Sequence, residues 1–103
     1  MTTILRPKDA ATLVLVRNAK TVPEVLLGQR HGGHAFMPNR YVFPGGRVDP
    51  SDSRVVPATS LRQEVADRLQ KNCGPARARA LAVAAVRETY EETGLMLAEK
   101  MTT

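Results

Sequence analysis

The sequence predicts an α/β fold, and three observations predict it. Short β-branched apolar runs bounded by turn formers occupy the first half of the chain, "ATLVLVR" at 11–17 being the clearest. Two longer stretches with helical start and stop signals occupy the second half. A glycine-rich turn, "PGGRVDPSD" at 44–52, separates the two halves.

In chain order, 11–17 reads as a strand and "EVLLGQR" at 24–30 as a second, with "NAKTVP" as the hairpin connection. "HGGHAFMPNR" at 31–40 is a loop by its Gly and Pro content. "YVF" at 41–43 is a short strand stopped by Pro44. The paired glycines Gly45 and Gly46 imply a special backbone angle or a close approach. Ser60 opens a helix, with Gln63 three residues on completing a capping box and Gly74 closing it beyond Cys73. Pro75 suits the first turn of a second helix, which stops at Gly94. The segment 53–75 looks like an insertion between the glycine turn and that second helix.

Composition narrows the function classes. At 103 residues and 43% apolar, the chain is one small domain with enough apolar material for a core. The net charge of +5 fits an anionic partner or a solvated Arg-rich surface equally well. No basic run is interleaved with aromatics, which argues against specific nucleic-acid binding. One cysteine excludes an internal disulfide and fits a reducing, cytoplasmic setting. No apolar run is long enough for a membrane span or a signal peptide.

The stretch "RETYEETG" at 87–94 places Glu88, Glu91 and Glu92 within one arc of roughly 100° on a helix. Ala82, Val83, Val86 and Tyr90 fall on the opposite side and should enter the core. Leu81, Ala84 and Ala85 precede the carboxylates by a turn, and the small side chains there would admit another backbone segment. A solvated acidic face is the plain alternative. Two penalties weigh against it: Glu88 and Glu92 repel at i,i+4, and their charge lies near the helix C-terminus, where the macrodipole disfavours it. A divalent cation relieves both. Oxygen donors without thiolate suit Mg²⁺ or Mn²⁺.

These residues resemble the second half of the Nudix box, G-x5-E-x7-R-E-U-x-E-E-x-G-U, with U a bulky apolar residue. Arg87, Glu88, Glu91, Glu92, Gly94 and Leu95 match, and Thr89 departs at the first U. "FPGGRVDPSD" at 43–52 is similar to the first half, with Gly46 as the leading Gly and Asp52 in place of Glu. Between Asp52 and Arg87 lie 34 residues where the pattern has 7, so the box is split by an insertion of 27. The long insertion and "GQRHGGHAFMPNRYVFPGGRVD" resemble the coenzyme A diphosphatase-like branch.

The resemblance implies a mixed β-sheet packed between helices, an α/β/α sandwich. It implies a metal-dependent hydrolase that cleaves the diphosphate linkage of a nucleoside diphosphate joined to another moiety, with coenzyme A or acyl-CoA as candidate substrates. Glu88, Glu91, Glu92 and the carbonyl of Gly45 would hold Mg²⁺ or Mn²⁺, and Arg87 would hold a glutamate in place. Arg30, His31, His34 and Arg47 are candidate contacts to the anionic substrate, with a solvent-facing His31 and His34 pair as the plain alternative. The alternative is a catalytically silent Nudix-like module that binds a nucleotide or a protein, although it would have no reason to keep all three carboxylates. His31 and His34 form no zinc site, since nothing completes it. The family's later strands do not follow Leu95, so the resemblance implies an incomplete domain over 1–103 whose C-terminal part is missing. Such a portion should dimerise or domain-swap to cover its open face and should hydrolyse weakly or not at all.

Overall fold

The computed structural model describes residues 8–29, 40–57, 59 and 61–98. The run read as one strand at 11–17 pairs twice. Its first part, β1 (Ala10–Thr12), lies antiparallel to a strand at Gly45–Arg47, with Ala11 opposite Gly46. Leu13 N–H donates to the Pro44 carbonyl at 2.8 Å and Val48 N–H to the Asp9 carbonyl at 2.8 Å, extending that ladder at both ends. The second part, β2 (Val16–Arg17), pairs with β3 (Glu24–Val25). The connecting turn holds Asn18 at φ 56°, a left-handed conformation that Asn tolerates better than most residues. The hairpin expected across 18–23 is therefore present. A third pair joins β4 (Gly28–Gln29) to β5 (Tyr41–Val42). The Gly45–Arg47 strand is β6. All three ladders are antiparallel, so no parallel pair of a mixed sheet occurs among the described residues.

Two elements differ from expectation. The glycine turn contains β6 and, after it, a 3-10 turn at Pro50–Arg54. The first helix, α1 (Gln63–Leu69), begins later than expected: Arg62 is its N-cap and no side chain caps it. Gln63 Nε2 instead donates forward to Asp67 Oδ1 at 2.6 Å, and Ser60 lies outside the described residues. Gly74 does not close α1. It is the N-cap of α2 (Pro75–Thr93), while Cys73 Sγ donates to the Leu69 carbonyl at the end of α1. Pro75 at the first helical position and Gly94 at φ 79° bound α2 as its sequence requires.

α2 packs on β1, β6 and the 3-10 turn, and α1 packs on α2. The buried side of α2 is Ala78, Ala80, Ala84, Ala85 and Thr89. This corrects the expected core stripe: Ala82, Val83 and Val86 are half-buried and Tyr90 is 49% exposed. The physical reason is side-chain size. Ala84 and Ala85, on the face that carries Glu88, are small enough for the strand backbones to close on the helix, as their place ahead of the carboxylates implied, while Val83, Val86 and Tyr90 stay less covered. Arg77 near the start of α2 forms a bidentate pair with Asp9 ahead of β1, fixing the helix across the two-stranded ladder. No described helix is long and apolar enough to cross a membrane.

Candidate carboxylate site

The expected site residues meet where the last two turns of α2 cross β6. Gly46 faces the helix there. A Cβ on Gly46 would lie 2.5 Å from Glu88 Cδ and 2.6 Å from its Oε1, so only glycine lets that carboxylate settle on the strand. Gly45 is constrained from the other side: a Cβ would lie 2.8 Å from Thr12 Cα and still closer to the Ala11 carbonyl oxygen. Gly45 N–H donates to Glu92 Oε2 at 3.4 Å. The two glycines thus serve close approach, one toward β1 and one toward Glu88.

Arg87 organises the rest. Its Nε and Nη2 donate to the two oxygens of Asp52 at 2.8 and 3.0 Å, a forked pair with planar complementarity. Its Nη1 is shared between Glu88 Oε1 at 3.1 Å and Glu91 Oε2 at 3.0 Å, and Nη2 also donates to the Arg47 carbonyl at 3.0 Å. One guanidinium therefore holds three carboxylates and a strand carbonyl.

Asp52 is 1% exposed, on the 3-10 turn. Its second oxygen also accepts from Asp49 N–H at 2.8 Å. The Arg87 hydrogen bonds hold its carboxyl below the ordinary Asp range, outweighing the opposite push from burial. The same pairing raises the Arg87 guanidinium further above its already high value. Asp52 is thus an anion at neutral pH, and its charge is spent on Arg87.

Glu88 is mostly covered, with 17% of its side chain exposed, while Glu91 is 54% exposed. Glu88 and Glu91 turn to Arg87 and Glu92 reaches the Gly45 amide. Among the described residues, no three acidic, His or Cys side chains converge as a preformed metal cage. Thr89, the polar residue at an apolar position of the box, is fully buried, and its hydroxyl donates to the Ala85 carbonyl at 2.7 Å. That bond is how α2 accommodates it.

Arg47 contributes its carbonyl to the cluster. Because Gly46 faces α2, strand alternation sends the Arg47 side chain to the other face of β6. Arg30, His31 and His34 lie outside the described residues. A groove of about 700 Å³ between Val56, Pro57, Thr59, Leu61, α1 and the first half of α2 is no part of this site.

Two features escaped the sequence reading. One is Asp49, whose side chain accepts from Ser51 N–H at 2.9 Å and caps the 3-10 turn that presents Asp52. The signal was there: "DPSD" is an N-cap, a Pro at the first helical position and an acidic residue three positions on. The other is β6, hidden because paired glycines carry no strand propensity.

The arrangement closes both halves of the split motif on one another: Gly46 and Asp52 from the first, Arg87 and Glu88 from the second. A crystallised NUDIX hydrolase from Alicyclobacillus acidocaldarius superposes with a TM-score of 0.66 at 32% identity, over 98% of this chain and 46% of that one. The Caenorhabditis elegans protein "Putative nudix hydrolase 7" is 33% identical over 89 residues, or 86% of this chain. The chain is a Nudix hydrolase homologue. It spans 22% of the length of the nematode protein. No family model matches it. The 34 residues between Asp52 and Arg87 do not keep them apart, because the 3-10 turn packs on α2 and brings the two side chains into contact.

Proposed function

We propose that this chain carries the acidic centre of a metal-dependent Nudix diphosphohydrolase. The substrate class is a nucleoside diphosphate linked to another moiety, with coenzyme A or an acyl derivative favoured. The observation that carries the reading is the Arg87 fork on Asp52, which brings Glu88, Glu91 and Glu92 to the glycine strand across a 34-residue separation.

The donor set fits a hard cation, because Glu88, Glu91 and Glu92 offer carboxylate oxygen and no sulfur or imidazole is gathered with them among the described residues. Glu88, Glu91, Glu92 and the Gly45 carbonyl would hold Mg²⁺ or Mn²⁺, and Arg87 would set the orientation of Glu88 and Glu91. When bound, the ion supplies charge neutralisation at the diphosphate and a more acidic coordinated water. Arg87 restrains Glu88 and Glu91, and the Gly45 amide restrains Glu92, so the carboxylates stay near one another at β6. Arg30, His31 and His34 are the proposed contacts to the anionic substrate, and Arg47, whose side chain leaves the other face of β6, is not. The support for coenzyme A is the split box and the 28–49 segment alone.

A panel of coenzyme A, ADP-ribose, dinucleoside polyphosphates and nucleotide sugars, read by mass spectrometry with Mg²⁺ or Mn²⁺, tests the reaction. Coenzyme A should be cut at its diphosphate, weakly in this chain, and far faster turnover of ADP-ribose would remove that assignment. Glu92→Gln tests the ligand set by Mn²⁺ calorimetry. Affinity should fall clearly while stability without metal holds or rises, and undiminished Mn²⁺ binding would sink the metal assignment. A calorimetric Mn²⁺ titration with and without a diphosphate ligand separates the enzyme from a silent module.

A further inference from the structure

We propose that Asp49 is a positioning residue for the carboxylate site, acting through Asp52 and Arg87. The inference rests on the metal-site reading above and extends it to a residue that touches neither metal nor substrate.

Asp49 controls the turn in two ways. Its carboxylate oxygen Oδ1 accepts from Ser51 N–H at 2.9 Å and from Ser51 Oγ at 2.8 Å. Its own N–H donates to Asp52 Oδ2 at 2.8 Å. The first pair of bonds sets the start of the 3-10 turn, and the third aims the Asp52 carboxylate out of it. Asp52 then has three donors on two oxygens: Arg87 Nε, Arg87 Nη2 and Asp49 N–H. Two of them are the Arg87 fork, so the orientation of the guanidinium plane follows the orientation of Asp52. That plane decides where Nη1 points, and Nη1 is what Glu88 and Glu91 share.

Asp52 is 1% exposed, the Arg87 side chain 27% and the Glu91 side chain 54%. Asp49 itself is exposed and off the helix, yet the rigid, buried end of the chain begins at its cap. Arg87 has a second anchor in the Arg47 carbonyl on β6. Removing the cap loosens the turn that carries Asp52, so the Arg87 fork loses its fixed partner while Arg87 keeps the Arg47 carbonyl, Glu88 and Glu91. Glu88 and Glu91 then share a less fixed guanidinium.

The test uses Asp49→Ala, which removes the acceptor, and Asp49→Asn, which keeps a capping oxygen and removes the charge. Two readouts are taken on the full chain: Mn²⁺ affinity by calorimetry, and the Arg87 Nε–H resonance in a ¹⁵N spectrum assigned with Arg87→Lys. Asp49→Ala should weaken Mn²⁺ binding roughly 3- to 10-fold, an effect of about 0.7–1.4 kcal/mol by the tenfold-per-1.4 relation. It should also broaden or move the Nε–H signal. Asp49→Asn should restore both to within about twofold of the parent, since a capping effect of this kind follows the oxygen and not the charge. Wild-type Mn²⁺ affinity and an unmoved Nε–H signal in Asp49→Ala would overturn the proposal while leaving the metal site standing. If the parent chain binds no Mn²⁺, the metal reading fails. The Nε–H signal then decides the relay by itself: a change in Asp49→Ala that Asp49→Asn reverses upholds it, and no change ends it.

Discussion

Replacing Asp52 by Asn keeps the shape of the side chain and removes its charge. The native carboxylate takes two N–H groups from Arg87 and one from Asp49 on its two oxygens. Asn offers one oxygen. Its best orientation puts that oxygen where Oδ2 stands, keeping Arg87 Nη2 and Asp49 N–H, and turns its amide against Arg87 Nε–H, donor to donor. One charge-assisted bond is lost, worth about 1.5–3 kcal/mol, and Arg87 loses its most buried counter-charge. Removing one partner of a buried pair costs about 3–5 kcal/mol. Arg87 is 27% exposed and keeps Glu88 and Glu91, so the low end applies, about 3 kcal/mol. With a urea slope of about 1.5 kcal/mol/M, the unfolding midpoint should fall by about 2 M. The effect also has a pH signature. Asp52 titrates below its ordinary range when folded, so the stability it contributes is fully present above the unfolded Asp value of about 3.9 and is lost as pH falls through the lowered native value. Parent and variant should therefore differ at pH 7 and converge in acid. Urea titrations at neutral and acid pH measure both. A neutral-pH gap below about 1 kcal/mol, or one that persists undiminished in acid, would refute a charged, bidentate Asp52.

The two glycines should separate stability from site. Gly45→Ala drives a Cβ into the backbone of β1, which cannot yield, and should cost about 1–3 kcal/mol or more in urea unfolding. Gly46→Ala meets only the end of the Glu88 side chain, so unfolding should change little while Mn²⁺ affinity falls. Equal effects of the two on both measurements would contradict the close approaches seen at β6. Thr89→Val removes a hydroxyl whose acceptor is a helix carbonyl and leaves a buried apolar side chain of similar shape. It should lie within about 1 kcal/mol of the parent, and a much larger loss would mean that the hydroxyl does more than back-bond. Tyr90, Leu95, Met96 and Leu97 are large apolar side chains exposed by 41% or more at and beyond the end of α2. Sedimentation should show concentration-dependent self-association, and a monodisperse monomer across the range would count against an adhesive face.

By itself, the sequence determined what depends on near neighbours along the chain. The 75–94 limits of α2 follow from a proline that fits a first turn and a glycine that tolerates φ 79°. The gathering of Glu88, Glu91 and Glu92 follows from helix geometry at i, i+3 and i+4. The hairpin at 16–25 follows from two apolar runs and a turn between them. Tertiary structure decided what depends on residues far apart in sequence. No local rule puts Asp52 against Arg87, because that contact exists only once the 3-10 turn and α2 are packed together. The uncovering of the large side chains of α2 was outside local reach, although Ala84 and Ala85 were expected to admit another backbone segment and are buried. Hydrophobicity favoured the side with Val83, Val86 and Tyr90, but the helix turned its alanines to β1 and β6. Close backbone packing there selects small side chains over large ones, and only the partner strands can express that preference. β6 itself is a strand because β1 supplies its hydrogen-bond partners, with glycines that the neighbouring backbone and Glu88 require to be bare.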